Sequence, residues 1–170
     1  AVIHGESLPW VPFTPYSDKI LLKYFKLDPI RGEWIVVMKV PHGVSLPKHK
    51  HTGTVFVYTI EGKWKYEEHD WVAGPGSIVY ETAASTHTFE VVAEGASGYV
   101  VTLVQVNGDL LFLDDKANIV VQENWKTSLQ RYRRGSPSLF RAKYAQGYPL
   151  LQSGPVAPEF PEPEYGYDPN

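Results

Sequence analysis

The 170-residue chain contains no cysteine. That excludes disulfides, thiolate nucleophiles and thiolate metal ligands, so any metal must be held by nitrogen and oxygen. Long apolar runs are also missing, and no stretch approaches the ~20 residues of a bilayer crossing. The opening Ala-Val-Ile-His-Gly-Glu-Ser has neither the basic segment nor the apolar core of a secretory signal. Together these absences predict a cytoplasmic protein with no membrane partner. A surplus of positive charge is lacking too: 16 Lys and Arg stand against 19 Asp and Glu, a net charge of −3, which gives no electrostatic case for nucleic acid. No internal repeat is present.

What remains is ordinary globular composition, 43% hydrophobic and 14% aromatic, at a length that suits one domain with a sizeable core. Between about residues 19 and 123 short β-rich segments alternate with turn residues. Ile20–Leu27 and Trp34–Val40 read as strands, punctuated by Asp28-Pro29 and Arg31-Gly32. Val55–Ile60, Glu61-Gly62 and Lys63–Tyr66 read as a hairpin. Ser77–Glu81 and Phe89–Val92 follow, and Tyr99–Val106, Leu110–Leu113 and Ile119–Gln122 read as a closing meander. Many short strands at this spacing predict a sandwich or barrel.

The period then changes. Asn124 is a good N-cap, and Trp125, Leu129 and Tyr132 share one helical face that ends near Gly135. Ser136-Pro137 starts a second short helix reaching about Gln146. The final stretch, 147–170, holds six prolines and no period, and reads as an extended tail after a single domain over 1–146. Arg131, Arg133, Arg134, Arg141 and Lys143 are expected on a solvated or subunit-facing helix.

Six histidines are present, and three of them carry the functional signal. His49 and His51 are two apart, so on an extended strand they face the same way, with Cα atoms roughly 6.6 Å apart. A His-x-His pair alone occurs by chance roughly 0.2 times in such a chain, whereas demanding Gly43 and Gly62 around it lowers this to about 0.001. His87 follows a second glycine-led segment beginning at Gly76. His4, His42 and His69 are expected to be solvated.

Gly43-x5-His49-x-His51 with Gly62 resembles the first cupin motif, and Gly76-x5-Thr82-x-Ala84-x2-His87 resembles the second. The family's glutamate ligand, four or five residues after the second histidine, is replaced by Val55 or Phe56. Thr82 and Ala84 stand where the second motif has Pro and Gly, and Val91 where it has Asn. The missing carboxylate improves the match to three-histidine cupin dioxygenases that cleave carbon–carbon bonds. Within that group the length, the Leu-Pro-Trp-Val-Pro-Phe opening and the helical, Pro-rich C-terminal extension resemble 2,4'-dihydroxyacetophenone dioxygenase above all, and acetylacetone dioxygenase secondarily. The resemblance implies a mainly β fold: a cupin double-stranded β-helix, or jelly-roll barrel, with short C-terminal helices and a Pro-rich tail. It further implies Fe(II) held by His49, His51 and His87, with a hydroxyketone and O2 as substrates, in a homodimer or homotetramer. Three imidazoles suit Zn, Ni or Cu as well as Fe, so a purified sample can carry any of these.

Glu81 lies six residues before His87. It is the candidate to fix a histidine tautomer or to take a proton from substrate. Phe56, Tyr58, Trp64, Tyr66, Tyr80 and Phe89 are the candidate pocket aromatics. Two rival functions fit the same residues: a metal-dependent isomerase or hydrolase, and a ligand-binding sensor.

Overall fold

The computed structural model describes residues 2–135. The second helix, Arg141, Lys143 and the 147–170 tail lie outside the described residues. Two antiparallel sheets face each other. One runs β1 (Val11–Pro12), β2 (Leu21–Asp28), β3 (Glu33–Val40), β9 (Val100–Asn107), β5 (Val55–Glu61), β7 (Ile78–Glu81). The other runs β11 (Ile119–Glu123), β10 (Leu110–Leu113), β4 (Leu46–His51), β8 (Thr86–Ala93), β6 (Lys63–Tyr66). Alternating burial along β3 and β8 sends Trp34, Val36, Phe89 and Val91 inward, where the core lies between the sheets.

The expected hairpin between Val55–Ile60 and Lys63–Tyr66 does not form. β5 pairs with β7 and β9, whereas β6 pairs with β8 in the opposite sheet. The chain crosses between the sheets at Gly62, whose φ of +78° suits glycine. A Cβ there would lie 2.9 Å from the Ala93 carbonyl oxygen and 3.0 Å from the Val100 Cα, so backbone from both sheets closes on this corner. The closing meander is likewise partial. β10 and β11 pair, but β9 belongs to the other sheet, between β3 and β5.

The helix α1 (Trp125–Gly135) is capped as the sequence reads: Asn124 Oδ1 accepts from the backbone N–H of Lys126 at 2.9 Å and of Thr127 at 3.4 Å. The expectation for Arg131 is corrected. It is buried, because its guanidinium donates to both carboxylate oxygens of the buried Glu123 at 2.5 and 2.9 Å, to the Thr14 carbonyl at 2.8 Å and to the Tyr24 hydroxyl at 2.7 Å. It also lies 4.6 Å above the Phe13 ring. This pair pins the helix across β2 and β11. Among the described residues no helix is long and apolar enough to cross a membrane.

Candidate metal centre

β4 begins with Leu46 pointing inward, and its pairing with β8 then shifts register before His49. Pro47 and Lys48 are carried outside by that irregularity, and His49 and His51 both face the interior. His49 stands directly across from His87 on β8 and from Phe112 on β10. Glu81 reaches the same space from β7, in the facing sheet. All four side chains are buried.

His51 Nε2 is 3.1 Å from Glu81 Oε2, and His87 Nε2 is 3.7 Å from it. His51, Glu81 and His87 can each bring a ligand atom within 4.8 Å of the others. The His49 ring centroid is 5.2 Å from that of His51. His49 Nδ1 lies 2.8 Å from the Pro47 carbonyl, which only accepts; that fixes the Nδ1–H tautomer and leaves the Nε2 lone pair free. Both ring nitrogens of His51, Nδ1 of His87 and Oε2 of Glu81 have no hydrogen-bond partner, an expensive arrangement for buried polar atoms. Such a convergence of orphaned nitrogen and oxygen donors fits a divalent cation with imidazole ligands. Among the described residues His51, Glu81 and His87 form the cluster that could hold it, with the His49 ring beside them.

Desolvation dominates the electrostatics. It lowers the pKa of His51 to about 3 and that of His87 to about 4, with neighbouring histidines adding to both shifts, and it lowers His49 in the same direction. Neutral imidazoles are therefore ready to coordinate. Burial also raises Glu81 to about 7, opposed by the hydrogen bond that Tyr66 donates to its Oε1. Tyr66 is itself pushed well above its usual value by burial and by the Glu81 charge.

These shifts predict how the metal-free protein responds to pH. The unfolded chain binds more protons at the histidines than the fold does below pH 6.5, so acid weakens the fold there. Glu81 acts oppositely, favouring the fold below pH 4.5 and losing that contribution as pH rises through about 7. Several histidines outweigh one carboxyl between pH 4.5 and 6.5. Denaturant titrations are therefore expected to give maximal stability close to neutrality and a decline toward pH 4.

The segment leading to His87 carries one strained residue. Ala84, where the cupin motif has glycine, adopts φ +67° while its N–H donates to the His51 carbonyl at 2.9 Å. A left-handed alanine costs about 1–2 kcal/mol, of which glycine's extra unfolded entropy returns about 0.5–1. Ala84→Gly is thus expected to raise stability by about 0.5–1 kcal/mol, read as a higher urea midpoint at unchanged slope.

The aromatic candidates divide by face. Trp64, Tyr66 and Phe89 are buried and border an interior cavity of about 60 Å³, which His49, His51 and Glu81 also line. Trp64 stacks on Phe89 at 4.9 Å and donates to Thr59 Oγ1 at 2.8 Å, so it also holds the core together. Phe56 and Tyr58 are corrected, and Tyr80 does not enter the interior cavity. Val55 and Val57 take the inward positions of β5, and Glu81 that of β7, so these three rings lie on the outer face of the sheet. Tyr80 is 63% exposed and borders an outer groove. His4, His42 and His69 are exposed, as expected. Unanticipated was the partner of His69, whose ring stacks on Trp71 at 5.5 Å and lies 6.1 Å from His87.

Two facing antiparallel sheets with histidines from β4 and β8 converging between them define a cupin barrel. The chain belongs to the ChrR cupin-like domain family, whose profile matches residues 1–107. It is similar to an RmlC-like cupin protein from Ralstonia eutropha JMP134, with 51% identity and a TM-score of 0.77, over 81% of this chain and 87% of that one. It also shares its fold with an acetylacetone dioxygenase from Acinetobacter johnsonii, with 19% identity and a TM-score of 0.68, over 79% of this chain and 91% of that one. No curated protein matches the sequence.

Proposed function

We propose that this cupin is an Fe(II)-dependent dioxygenase that cleaves the C–C bond beside the carbonyl of an aryl hydroxyketone such as 2,4'-dihydroxyacetophenone, giving 4-hydroxybenzoate and formate. The observation that carries this reading is the buried cluster of His51, Glu81 and His87 with His49 beside it, its imidazoles held neutral by burial, in a chain that lacks the usual motif glutamate. Iron, held by these residues, would supply a +2 centre with Lewis-acid and redox chemistry. The Pro47 carbonyl holds His49 in the Nδ1–H tautomer, which leaves its Nε2 lone pair free to coordinate. The Tyr66 hydroxyl occupies Glu81 Oε1 and leaves Oε2 to take a proton from the carbon or hydroxyl next to the ketone. A carboxyl with a pKa of about 7 is well matched to that role near neutral pH. The apolar walls of Trp64 and Phe89 keep water from the reacting atoms.

The direct test is turnover under 18O2, which should place one labelled atom in each of the two acids. Unlabelled products would reject a dioxygenase. Glu81→Gln should keep iron and lower turnover by about 10²–10⁴-fold. Loss of iron in that variant would make Glu81 a ligand instead, completing a two-histidine, one-carboxylate set.

The shared fold with an acetylacetone dioxygenase supports a second reading, cleavage of a β-diketone. Imidazole donors fit zinc equally, so a non-oxidative isomerase, hydrolase or sensor is the remaining alternative. The exposed Tyr58, Ile60, Ile78 and Tyr80 on one sheet face support a homodimer or homotetramer.

A further inference from the structure

The buried cluster has a cavity on each side, and the two differ sharply. The interior cavity, between the sheets, is about 60 Å³ and walled almost entirely by aliphatic and aromatic side chains. Outside, between the segment following β6 and the edge strand β7, lies a groove of about 450 Å³ lined by both polar and apolar groups. Glu81 and Tyr66 border both spaces, and His87 lines the outer one. Small-molecule sites are usually about 300–1,000 Å³, so only the outer groove has room for a ring and its polar substituents without rearrangement.

One wall of this groove is built for a flat ligand. Trp71 packs edge-on against Trp64 at 5.6 Å and Tyr66 at 5.5 Å, which holds the indole upright. His69 stacks on it at 5.5 Å with 18° between the planes. Further in, Tyr66 stacks on His87 at 4.2 Å and 18°. Trp71 keeps 37% of its surface exposed, an unusual position for a tryptophan so firmly braced. The result is an aromatic wall running from solvent to the imidazole of His87.

We propose that the aryl ring of the substrate lies in this outer groove against Trp71 and His69, with its ketone end directed past Tyr66 toward Glu81 and His87. Trp71 and His69 are then specificity-determining residues that select an aromatic over an aliphatic ketone. The inference rests on the aryl-ketone reading above and adds the place where the ring is held.

The test is equilibrium dialysis of 4'-hydroxyacetophenone against the iron-loaded protein under anaerobic conditions, followed by steady-state kinetics with 2,4'-dihydroxyacetophenone. Trp71→Ala and His69→Ala should each weaken binding about tenfold and raise KM while leaving kcat nearly unchanged; Trp71→Phe should restore most of the affinity. Wild-type binding and KM in all three variants would overturn the groove assignment and leave the dioxygenase reading standing. Weakened binding by the alanine variants of a protein that never turns over would support the groove and reject the activity. Failure of the wild type to bind the probe would reject the groove assignment, while turnover of 2,4'-dihydroxyacetophenone tests the activity separately.

Discussion

His51→Ala is expected to abolish iron retention and oxygen uptake together. His51 sits between its partners, its ring centroid 5.2 Å from that of His49 and 5.4 Å from that of His87, with Nε2 3.1 Å from Glu81. Removing it takes away a donor that the other groups cannot replace, because the His49 ring is held by Pro47 and β4 by its pairing with β8. Altering a group that merely orients a ligand costs roughly 10–100-fold in metal affinity or activity, and loss of the ligand itself should exceed that. His49→Ala and His87→Ala should behave alike. Metal analysis after dialysis checks the first half and an oxygen electrode the second. A His51→Ala protein that keeps stoichiometric iron and full turnover would remove the basis of the metal centre.

Glu123→Ala is expected to be the most destabilising single change outside that centre. It strands the Arg131 guanidinium, which the fold buries among Tyr24, Phe13 and the Thr14 carbonyl. Removing one partner of a buried pair costs about 3–5 kcal/mol, mainly through the uncompensated charge. At this chain length that is a fall in Tm on the order of 10 °C. The double variant Glu123→Ala/Arg131→Met should recover much of the loss, because no charge is left buried. Thermal melts followed by circular dichroism decide the matter; a loss below about 1 kcal/mol would mean that water reaches Arg131 in solution.

Much of the strand pattern was legible because turn residues mark its joints, and the helix because Asn124 and the Trp125, Leu129, Tyr132 face leave few alternatives. The Gly62 corner reads as a hairpin in the sequence because a glycine with positive φ serves a tight turn and a sheet-to-sheet crossing equally well, and only the Ala93 and Val100 backbones distinguish them. Phe56 and Tyr58 read as pocket residues because β5 is apolar on both faces, so the sequence offers no polarity to set its parity. Burial of Arg131 depends on a glutamate eight residues earlier, at the end of a strand, where no local rule pairs them. The histidine frame could be read because motif glycines and two-residue strand periodicity both point to it. The His69–Trp71 wall had only its i, i+2 spacing as a signal, and in a predicted turn that spacing carries no directional meaning.

The central question is whether these residues use iron and oxygen to cut a carbon–carbon bond. The decisive measurement is oxygen consumption by metal-stripped protein reconstituted anaerobically with Fe(II), with 2,4'-dihydroxyacetophenone and acetylacetone offered separately. One O2 consumed for each 4-hydroxybenzoate and formate pair formed, with the aryl hydroxyketone preferred, is the expected result. Stoichiometric iron with no oxygen uptake from either compound would contradict it.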